Sequence, residues 1–567
     1  NSHNRELRLR EIRHRFSCDN FSQSQLSIMG VEQGLCEVCN SVLCGCSEDL
    51  PVVDRLTIPS YYMDIGEYAS HYSNGARIKK KDLYARNVIN PIAKFPAMVP
   101  INSRAHDELT VEERIKKVAN KKHLTHSMRK LAGLFKAMMH KRLGTFVPIT
   151  HDEVIEAMPR RSRAERLRRN LLEECFNTMT TMETFQKKEA YPTFKPPRNI
   201  SPVPDGQLLE MCRFTYPFYD LIHDANFAWW APGRTPEEIG FQVMKVTSSP
   251  YFGADYSKFD GHQNKSLRRV VAGVILECLP SEYHAEFLRV YQAELDAVCV
   301  TANGVEYDAN GSMLSGSAIT TIGNTILNAF IYFAAVVESG IPPTGALAYM
   351  DKHCILYGDD SAGPKRIRAK FFEICERVGL EVTEEDCSRG LAFLGRIYPW
   401  DGEAESVFDP LRVLAKIHIT VENSTVPIAQ AACNRARGIA SLCAGDELIE
   451  AICDAILVKH GNLPARYYDD SEACFRAALG PTGVLPPHRW MEVVYMYEEW
   501  MGLEHGVLSM MIDDYAEGRE PCGWWNNPGW TNKLVGDVYL TNLFGAQEEQ
   551  VGQVNITNQL VRSTRRT

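Results

Sequence analysis

The sequence has few cysteines for its length, no long hydrophobic run and no apolar N-terminus. Seventeen cysteines in 567 residues are far fewer than a disulfide-stapled secreted domain carries. The most apolar run, residues 326–337, is shorter than the roughly 20 residues of a membrane-spanning helix and contains Asn328. The first residues are basic and polar, unlike a signal peptide. We therefore expect no transmembrane segment and a reducing compartment, and a disulfide-rich secreted scaffold is excluded.

The overall charge argues against a nucleic-acid partner, but its distribution does not. The chain has 62 Lys and Arg against 71 Asp and Glu, a net charge of −9. Residues 101–200 nevertheless hold 21 basic and 12 acidic residues. Within this block Arg160, Arg161 and Arg163 follow Pro159. A solvated helix is one interpretation of such a cluster, and its recurrence over a hundred residues favours a surface that binds the phosphates of a nucleic-acid backbone.

Several stretches predict secondary structure directly. Thr235-Pro236 is typical of a helix start, because a capping hydroxyl precedes a proline in the first turn. Residues 364–378 predict a helix that Gly379 ends. Residues 242–246 are apolar at alternate positions, which is typical of a strand. Beyond about residue 400 the pattern is mainly helical and acidic.

The sharpest local feature is a glycine followed by two adjacent acids, Gly358-Asp359-Asp360. Apolar residues precede it and small residues follow, as in a tight hairpin that displays carboxylates at its tip. Neighbouring acids repel each other, so we expect a cation beside them. A lone Gly-Asp-Asp also arises by chance and does not decide the function.

Two more acids lie upstream, Asp255 and Asp260. Residues 251–255 predict a short strand whose end carries Asp255, from where a carboxylate can reach a metal beside the hairpin. Asp260 would lie near the start of the next helix, and capping that helix is its alternative role.

A loop of glycine and small hydroxyl residues, 311–318, precedes an apolar helix predicted over 319–337. Ser315 and Gly316 lie in this loop, where glycine lets the backbone approach a ligand closely. Thr320 and Asn324 would project from one helix face, one turn apart. The alternative is an ordinary loop that caps a buried helix.

In their joint order and spacing these residues resemble the palm of viral RNA-dependent RNA polymerases. Asp255 and Asp260 match the Asp-x4-Asp of motif A, residues 315–324 match the Ser-Gly-x3-Thr-x3-Asn of motif B, and residues 358–360 match motif C. From about residue 100 to 440 the chain is most similar to nodavirus-like replicases. Residues 229–236 (WWAPGRTP), ahead of motif A, and 408–412 (FDPLR) carry that likeness.

The resemblance implies an α/β right-hand polymerase fold, with fingers, a palm built on an antiparallel sheet and a helical thumb. The expected segments are a cysteine-containing extension at 1–50, fingers with a basic surface and motif F at 51–205, a palm with motifs A–E and an inner fingers insertion at 206–400, a thumb at 401–520 and a tail at 521–567.

It also implies an enzyme that synthesises RNA from an RNA template, for viral genome replication and transcription. NTPs would react by two-metal nucleotidyl transfer with release of pyrophosphate. Asp255 and Asp359, assisted by Asp360, would hold two Mg²⁺ or Mn²⁺ ions, since hard cations prefer carboxylate oxygens. The NTP-binding residues that the resemblance implies are Asp260, Ser315, Gly316, Thr320, Asn324, Lys187 and Arg198.

Among these, the residues equivalent to Asp260, Ser315 and Asn324 bond the ribose hydroxyls in the family, which favours ribonucleotides. Lys187 and Arg198 match the cations of motif F that neutralise the triphosphate, although Lys187 could also be a plain surface lysine.

Motif D departs from the family pattern. Where many relatives offer a lysine as general acid, this chain has Cys387 and then Arg389, and a guanidinium is a poor proton donor, so that role stays open.

Two further features have open interpretations. Cys36, Cys39, Cys44 and Cys46 could close a structural zinc site, or they could be buried cysteines. Three tryptophans in the tail, Trp524, Trp525 and Trp530, could stack on an initiating base or template, and we prefer the interpretation that they anchor the tail on the thumb.

The partners implied are the RNA template, nascent RNA, NTPs and other viral replication proteins. The expected location is the host cytoplasm, at membrane-associated replication complexes reached through another segment or a partner. A catalytically silent palm-fold scaffold that binds RNA is the alternative, and it predicts disrupted acids, whereas all four motif acids are present. The motif B pattern and the basic fingers block disfavour a reverse transcriptase or a cyclase.

Overall fold

The computed structural model describes most of residues 104–466 and short stretches outside them. The gaps within that range are 159–160, 173–180, 188, 192–195, 389, 399–405, 415 and 424–425, and the stretches outside it are 57–59, 83–89, 98–100, 485, 490–501, 506, 509–510 and 512–513. The zinc-site cysteines, Arg160, Arg389 and the tail tryptophans lie outside the described residues.

The described strands are β1 Thr57–Pro59, β2 Leu83–Asn87, β3 Met98–Pro100, β4 Thr181–Gln186, β5 Asn199–Ile200, β6 Tyr251–Tyr256, β7 Val298–Thr301, β8 Glu306–Asp308, β9 Ile355–Tyr357, β10 Asp360–Pro364, β11 Val382–Glu385, β12 Leu391–Phe393, β13 Arg396–Tyr398, β14 Val407–Phe408 and β15 Ile419–Asn423. The helices are Arg104–Val111, His126–Leu143, His151–Ala157, Arg161–Leu172, Asp205–Asp224, Pro236–Thr247, Phe259–His262, Lys265–Cys278, His284–Leu295, Thr320–Glu338, Pro343–His353, Arg368–Val378, Pro410–Leu414, Ile428–Leu442, Glu447–Lys459 and Trp490–Met501.

The chain divides into two compact units. The first comprises residues 1–109, 187–197 and 408–567, and the second comprises 110–186 and 198–407. In the first unit β15 pairs with β2 in antiparallel fashion, and the helices Ile428–Leu442 and Glu447–Lys459 pack together. The second unit contains motifs A, B and C. The five segments expected from the sequence remain a prediction.

The second unit is built on a four-stranded antiparallel sheet in the order β11-β6-β10-β9. The strand predicted at 251–255 is confirmed as β6, which lies between β11 and β10. A second sheet, β5-β4-β7-β8, combines an antiparallel β4–β5 pair with a parallel β4–β7 pair. The sheets thereby join residues that are distant in sequence.

The helix Thr320–Glu338 is the core of the second unit. Every residue from Ile322 to Val336 is buried, because four other helices, His126–Leu143, Lys265–Cys278, Pro343–His353 and Arg368–Val378, pack against it. In the described part of the chain it is the one helix long and apolar enough to cross a membrane, and 83% of its most apolar window is buried inside the structure. A helix that is apolar on all sides requires such surroundings.

Local signals set several helix ends. Thr235 and Glu238 form a capping box at the start of Pro236–Thr247, as Thr235-Pro236 predicted. Gly379, at φ +79°, ends Arg368–Val378, where a residue without a Cβ accepts the left-handed conformation. The strand suggested by residues 242–246 is wrong, because these residues belong to the capped helix Pro236–Thr247.

Candidate active site

The Gly-Asp-Asp sequence forms the hairpin that its pattern predicts. Tyr357 pairs with Asp360, which leaves Gly358 and Asp359 as a two-residue turn between β9 and β10. Gly358 has φ +60°, and the hairpin turn with glycine in its first central position is type II′. Asp359 and Asp360 are both exposed, while Gly358 is buried. The hairpin therefore presents two carboxylates from a fixed backbone.

Motif A lies beside this hairpin in the same sheet. Ser361 of β10 pairs with Ala254 of β6, and the register continued by one residue sets Asp255 opposite Asp360. Asp255 is exposed, whereas Ala254 and Tyr256 on either side are buried. Because side chains alternate along a strand, Asp255 alone of the three faces out of the unit.

A tryptophan-rich stretch supports the hairpin from the other edge. The Leu356 N–H donates to Trp229 O at 2.8 Å, and the Ala231 N–H donates to Leu356 O at 3.0 Å. Trp229 and Trp230 are buried at 0% and 3% exposure. The sequence that precedes motif A thus extends the sheet beside β9.

The acids affect one another electrostatically. Although Asp359 is exposed as a residue, the protein atoms around its carboxyl group partly desolvate that group and raise its pKa from the ordinary value, and the negative charge of Asp255 adds to the rise. The charge of Arg198 acts in the opposite direction on the pKa values of both Asp359 and Asp260. Arg198 is therefore a cation whose charge acts on an acid of motif A and on an acid of motif C.

The carboxylates of Asp255, Asp359 and Asp360 are suited to bind a hard cation, but they do not by themselves form a complete metal site. Among the described residues, no group of three or more His, Cys, Asp or Glu side chains is arranged to hold a metal ion. Asp255, Asp359 and Asp360 offer only oxygen donors, and their mutual repulsion would be relieved by a bound cation. Oxygen donors of this kind fit Mg²⁺ or Mn²⁺.

Motifs A and B meet through side chains. The Asn324 Nδ2 donates to Asp260 Oδ1 at 2.7 Å, and the Gln263 Nε2 donates to Asn324 Oδ1 at 2.7 Å. Burial raises the pKa of Asp260 to about 6, although the Asn324 hydrogen bond lowers it. Asp260 and Asn324 were both predicted as nucleotide-binding residues, whereas Gln263 was not.

The motif B loop packs against the segment that follows Arg198. The Ser201 N–H donates to Ser315 Oγ at 3.0 Å, and the Gly316 N–H donates to Ser201 O at 3.2 Å. A Cβ on Gly316 would lie 2.6 Å from Ser201 O, so only glycine fits this approach. The Thr320 hydroxyl donates to Leu314 O at 2.7 Å and thereby closes the loop onto the helix.

Residues 198–442 match the family model described as viral RNA-dependent RNA polymerase. Over this segment the chain is similar to that family. The segment begins at Arg198 and contains every motif A, B and C residue discussed above. The predicted α/β right-hand polymerase fold is thereby confirmed.

The relatives of this chain include RNA-directed RNA polymerases of several viruses. The RNA-directed RNA polymerase of Pariacoto virus is 28% identical over 393 residues, which cover 68% of this chain and 39% of the relative. That of Greasy grouper nervous necrosis virus is 31% identical over 379 residues, 64% of this chain and 38% of the relative. That of Flock house virus is 27% identical over 394 residues, 67% of this chain and 39% of the relative.

The likeness to nodavirus-like replicases is confirmed, and the chain spans about two fifths of the length of these curated relatives. A solved structure, the insertion loop deletion mutant of the RNA-dependent RNA polymerase of a human picorbirnavirus, superposes with a TM-score of 0.46 at 13% identity, covering 83% of this chain and 85% of that chain. That likeness is too distant to define the fold.

Two features of residues 198–442 were not found from the sequence. Glu385 of β11 lies near Asp255 and Asp360, and burial together with these charges raises its pKa to about 7. The run Thr383-Glu384-Glu385-Asp386 shows acids there but not which one faces the site. Leu394, at φ +52° in the β12–β13 turn, donates its N–H to Asp360 Oδ2 at 3.2 Å.

The remaining residues that were predicted to bind NTP or RNA include Lys187, Arg161 and Arg163. Lys187 belongs to the first unit, where it pairs with Glu189 at 2.9 Å. Arg161 begins the helix Arg161–Leu172, and its side chain is outside the description. Arg163 is half-buried. Burial raises the pKa values of Cys212 and Tyr216, and the charge of Arg163 offsets part of that rise. Their binding of NTP or RNA remains a prediction.

Proposed function

We propose that the chain is an RNA-directed RNA polymerase that copies an RNA template during viral genome replication and transcription. The observation that carries the proposal is the convergence of Asp255, Asp359 and Asp360 in one sheet, beside Arg198 and the Asp260–Asn324 pair. Each group has a use in nucleotidyl transfer, and all of them lie within the segment that is similar to the family.

The proposed reaction joins the 3′-oxygen of the growing strand to the α-phosphorus of an NTP. The bond from that phosphorus to the leaving pyrophosphate breaks as the new bond forms. Two Mg²⁺ or Mn²⁺ ions, when bound, would activate the attacking oxygen and stabilise the charge on the leaving group. Asp255 and Asp359 would hold these ions, with Asp360 assisting.

Other residues of the chain would orient the nucleotide. Arg198 would face the triphosphate, since its charge already acts on Asp359 and Asp260. Asp260 and Asn324 would meet the ribose, and Ser315 and Gly316 would shape the loop around it. The general acid that protonates pyrophosphate is left unassigned.

We also propose that RNA and NTPs are the partners of the site, and that the enzyme works in the host cytoplasm at membrane-associated complexes with other viral replication proteins. The basic block of residues 101–200 supports the RNA partner. The greater length of the relatives leaves room for the segment that would reach a membrane.

Primer extension on an RNA template tests the proposal. The wild-type chain should extend a primer with rNTPs and Mg²⁺ but poorly with dNTPs. Asp359→Asn keeps the size of the side chain and should abolish extension while RNA binding, measured by fluorescence anisotropy, stays near wild type. Asp224→Asn, which changes an exposed acid of the same unit, is the control.

Extension at the wild-type rate by Asp359→Asn would refute the assignment of the acids. RNA binding without extension by the wild-type chain would instead favour a palm-fold scaffold without catalytic activity.

A further inference from the structure

Gln263 is a buried amide directly behind the pair of residues that would face the ribose. It follows the short helix Phe259–His262 in extended conformation, at φ −72° and ψ 149°, and is only 2% exposed. Its Nε2 donates to Asn324 Oδ1 at 2.7 Å, across 61 residues of sequence. The residue therefore touches the sugar-facing pair without itself being at the surface.

The hydrogen bonds that join Gln263, Asn324 and Asp260 all run in one direction, from donor to acceptor. A carboxylate only accepts hydrogen bonds, and an amide has one donating and one accepting end. With Nδ2 directed to Asp260, Asn324 has its Oδ1 directed away, where Gln263 donates to it. A rotated Asn324 amide would bring its oxygen to the Asp260 carboxylate and its NH₂ group to that of Gln263. Both contacts would be repulsive, so Gln263 and Asp260 together fix the orientation of Asn324.

The Oε1 end of the Gln263 side chain contributes little to the stability of the fold. Its Oε1 is buried and has no hydrogen-bond partner within the described structure. A buried acceptor without a partner costs free energy, so stability alone does not favour glutamine at this position. Its contribution is the single donor that it gives to Asn324.

We propose that Gln263 is a positioning residue for the selection of ribonucleotides over deoxyribonucleotides. By holding the Asn324 amide, it keeps a donor and an acceptor in a fixed arrangement for the 2′-hydroxyl of the incoming nucleotide. Polar groups arranged for a hydroxyl are left unpaired by a deoxynucleotide, which is the basis of strong discrimination. The inference rests on the proposed function, in which Asp260 and Asn324 meet the ribose.

The test compares kcat/KM for UTP and for dUTP in primer extension on an RNA template. Gln263→Met keeps the length of the side chain and removes its donor. Gln263→Glu keeps the shape and turns an acceptor toward Asn324, which would draw Nδ2 away from Asp260. We expect the UTP/dUTP ratio to fall about tenfold in Gln263→Met, the effect of losing roughly one hydrogen bond, and further in Gln263→Glu.

The chain offers a matched control in its first unit. Gln430 is a buried glutamine whose Nε2 donates to the buried Asn434 Oδ1 at 2.9 Å and also to Pro464 O at 2.8 Å, outside the motifs. Gln430→Met should cost at least as much stability as Gln263→Met, measured by thermal unfolding, and should leave the UTP/dUTP ratio unchanged.

A wild-type UTP/dUTP ratio in both Gln263 variants would overturn the inference. An equal loss of UTP and dUTP efficiency would also overturn it, because that is the result of a merely structural role. If Gln263→Met does not fold, the isosteric Gln263→Glu variant decides alone. A wild-type chain that extends no primer would refute the proposed function itself, and a selective wild-type enzyme with insensitive variants would refute only the role of Gln263.

Discussion

The Asn328 side chain donates from Nδ2 to the carbonyl oxygen of Gly358 at 2.9 Å. On the other side of the same residue, the Gly358 N–H donates to Thr325 Oγ1 at 2.9 Å. Asn328 Oδ1 in turn accepts from the Tyr256 hydroxyl at 3.0 Å. One turn of the core helix thus fixes the turn of the motif C hairpin and joins it to β6 of motif A.

Asn328→Leu should impair both stability and catalysis. Leucine fills a similar volume but removes the donor to the Gly358 carbonyl and leaves the buried Tyr256 hydroxyl with only its weak contact to Cys375 Sγ at 3.8 Å, at a cost of about 1–3 kcal/mol for each group. We expect the free energy of unfolding, from urea denaturation, to fall by about 2–4 kcal/mol, and kcat in primer extension to fall more than about tenfold because Asp359 is displaced. Tyr256→Phe, which removes only the hydroxyl, should have the smaller effect, and equal kcat in wild type and Asn328→Leu would contradict this role.

Arg198→Gln should weaken the use of nucleotide. The substitution removes a positive charge that acts on Asp359 and Asp260, so a bound triphosphate would lose a charge-assisted partner. Steady-state kinetics should give an NTP KM raised about tenfold or more, or a lower turnover. Arg168→Gln, on the exposed side of the helix Arg161–Leu172, is the control for loss of one charge. Unchanged kinetics in Arg198→Gln would show that Arg198 does not take part in binding the nucleotide.

Glu294→Gln should destabilise the second unit strongly. Arg268 and Glu294 are both 0% exposed, with Nη2 and Oε2 3.7 Å apart. Arg268 also donates to Ser312 O at 3.1 Å, and Glu294 accepts from the Ser317 hydroxyl at 2.7 Å, so the pair holds both ends of the motif B loop. Removing one partner of a buried pair costs about 3–5 kcal/mol, measurable by chemical denaturation.

A double variant and an exposed pair serve as controls for that prediction. Arg268→Met combined with Glu294→Leu should be less destabilised than Glu294→Gln alone, because no uncompensated charge stays buried. Asp296→Asn breaks the half-exposed pair with Lys265 and should cost less than about 1 kcal/mol. A similarly small cost for Glu294→Gln would show that the buried pair is not needed.

His418 should make the first unit sensitive to mild acid. Burial, together with the charge of Arg435, lowers the pKa of His418 to about 3. The unfolded chain binds a proton near pH 6.5 and the folded unit does not, so the stabilisation is present above pH 6.5 and is lost as the pH falls toward 3. Between pH 7 and pH 5 this residue alone should remove about 2 kcal/mol from the free energy of unfolding.

His418→Gln, which does not titrate, should lose less stability over that range. Denaturant unfolding at the two pH values, followed for both proteins, provides the measurement. An identical pH slope in wild type and variant would show that His418 is protonated in the folded unit.

The sequence predicts the features that depend on neighbouring residues. The hairpin at Gly358, the strand that carries Asp255, the capped start at Thr235 and the end at Gly379 were all confirmed. The alternation of apolar residues at 242–246 is misleading. Five residues are too few to distinguish the period of a strand from that of a helix, and the capping box at Thr235 favours a helix.

What sequence reasoning could not supply depends on distant contacts. Nothing near Gln263 indicates that its amide meets Asn324, and nothing in the run of acids around Glu385 separates the half-buried one from its exposed neighbours. Arg163 belongs to a basic cluster by composition, but only the packing beside Cys212 and Tyr216 shows that its side chain is half-buried.

The middle strand β4 has a consequence for how the nucleotide site would respond to movement. Its two neighbours are β5, which directly follows Arg198, and β7, which leads through β8 toward the motif B loop. A shift of β4 would therefore move together the segment after Arg198 and the segment before the motif B loop, which are the proposed phosphate and ribose sides of the site.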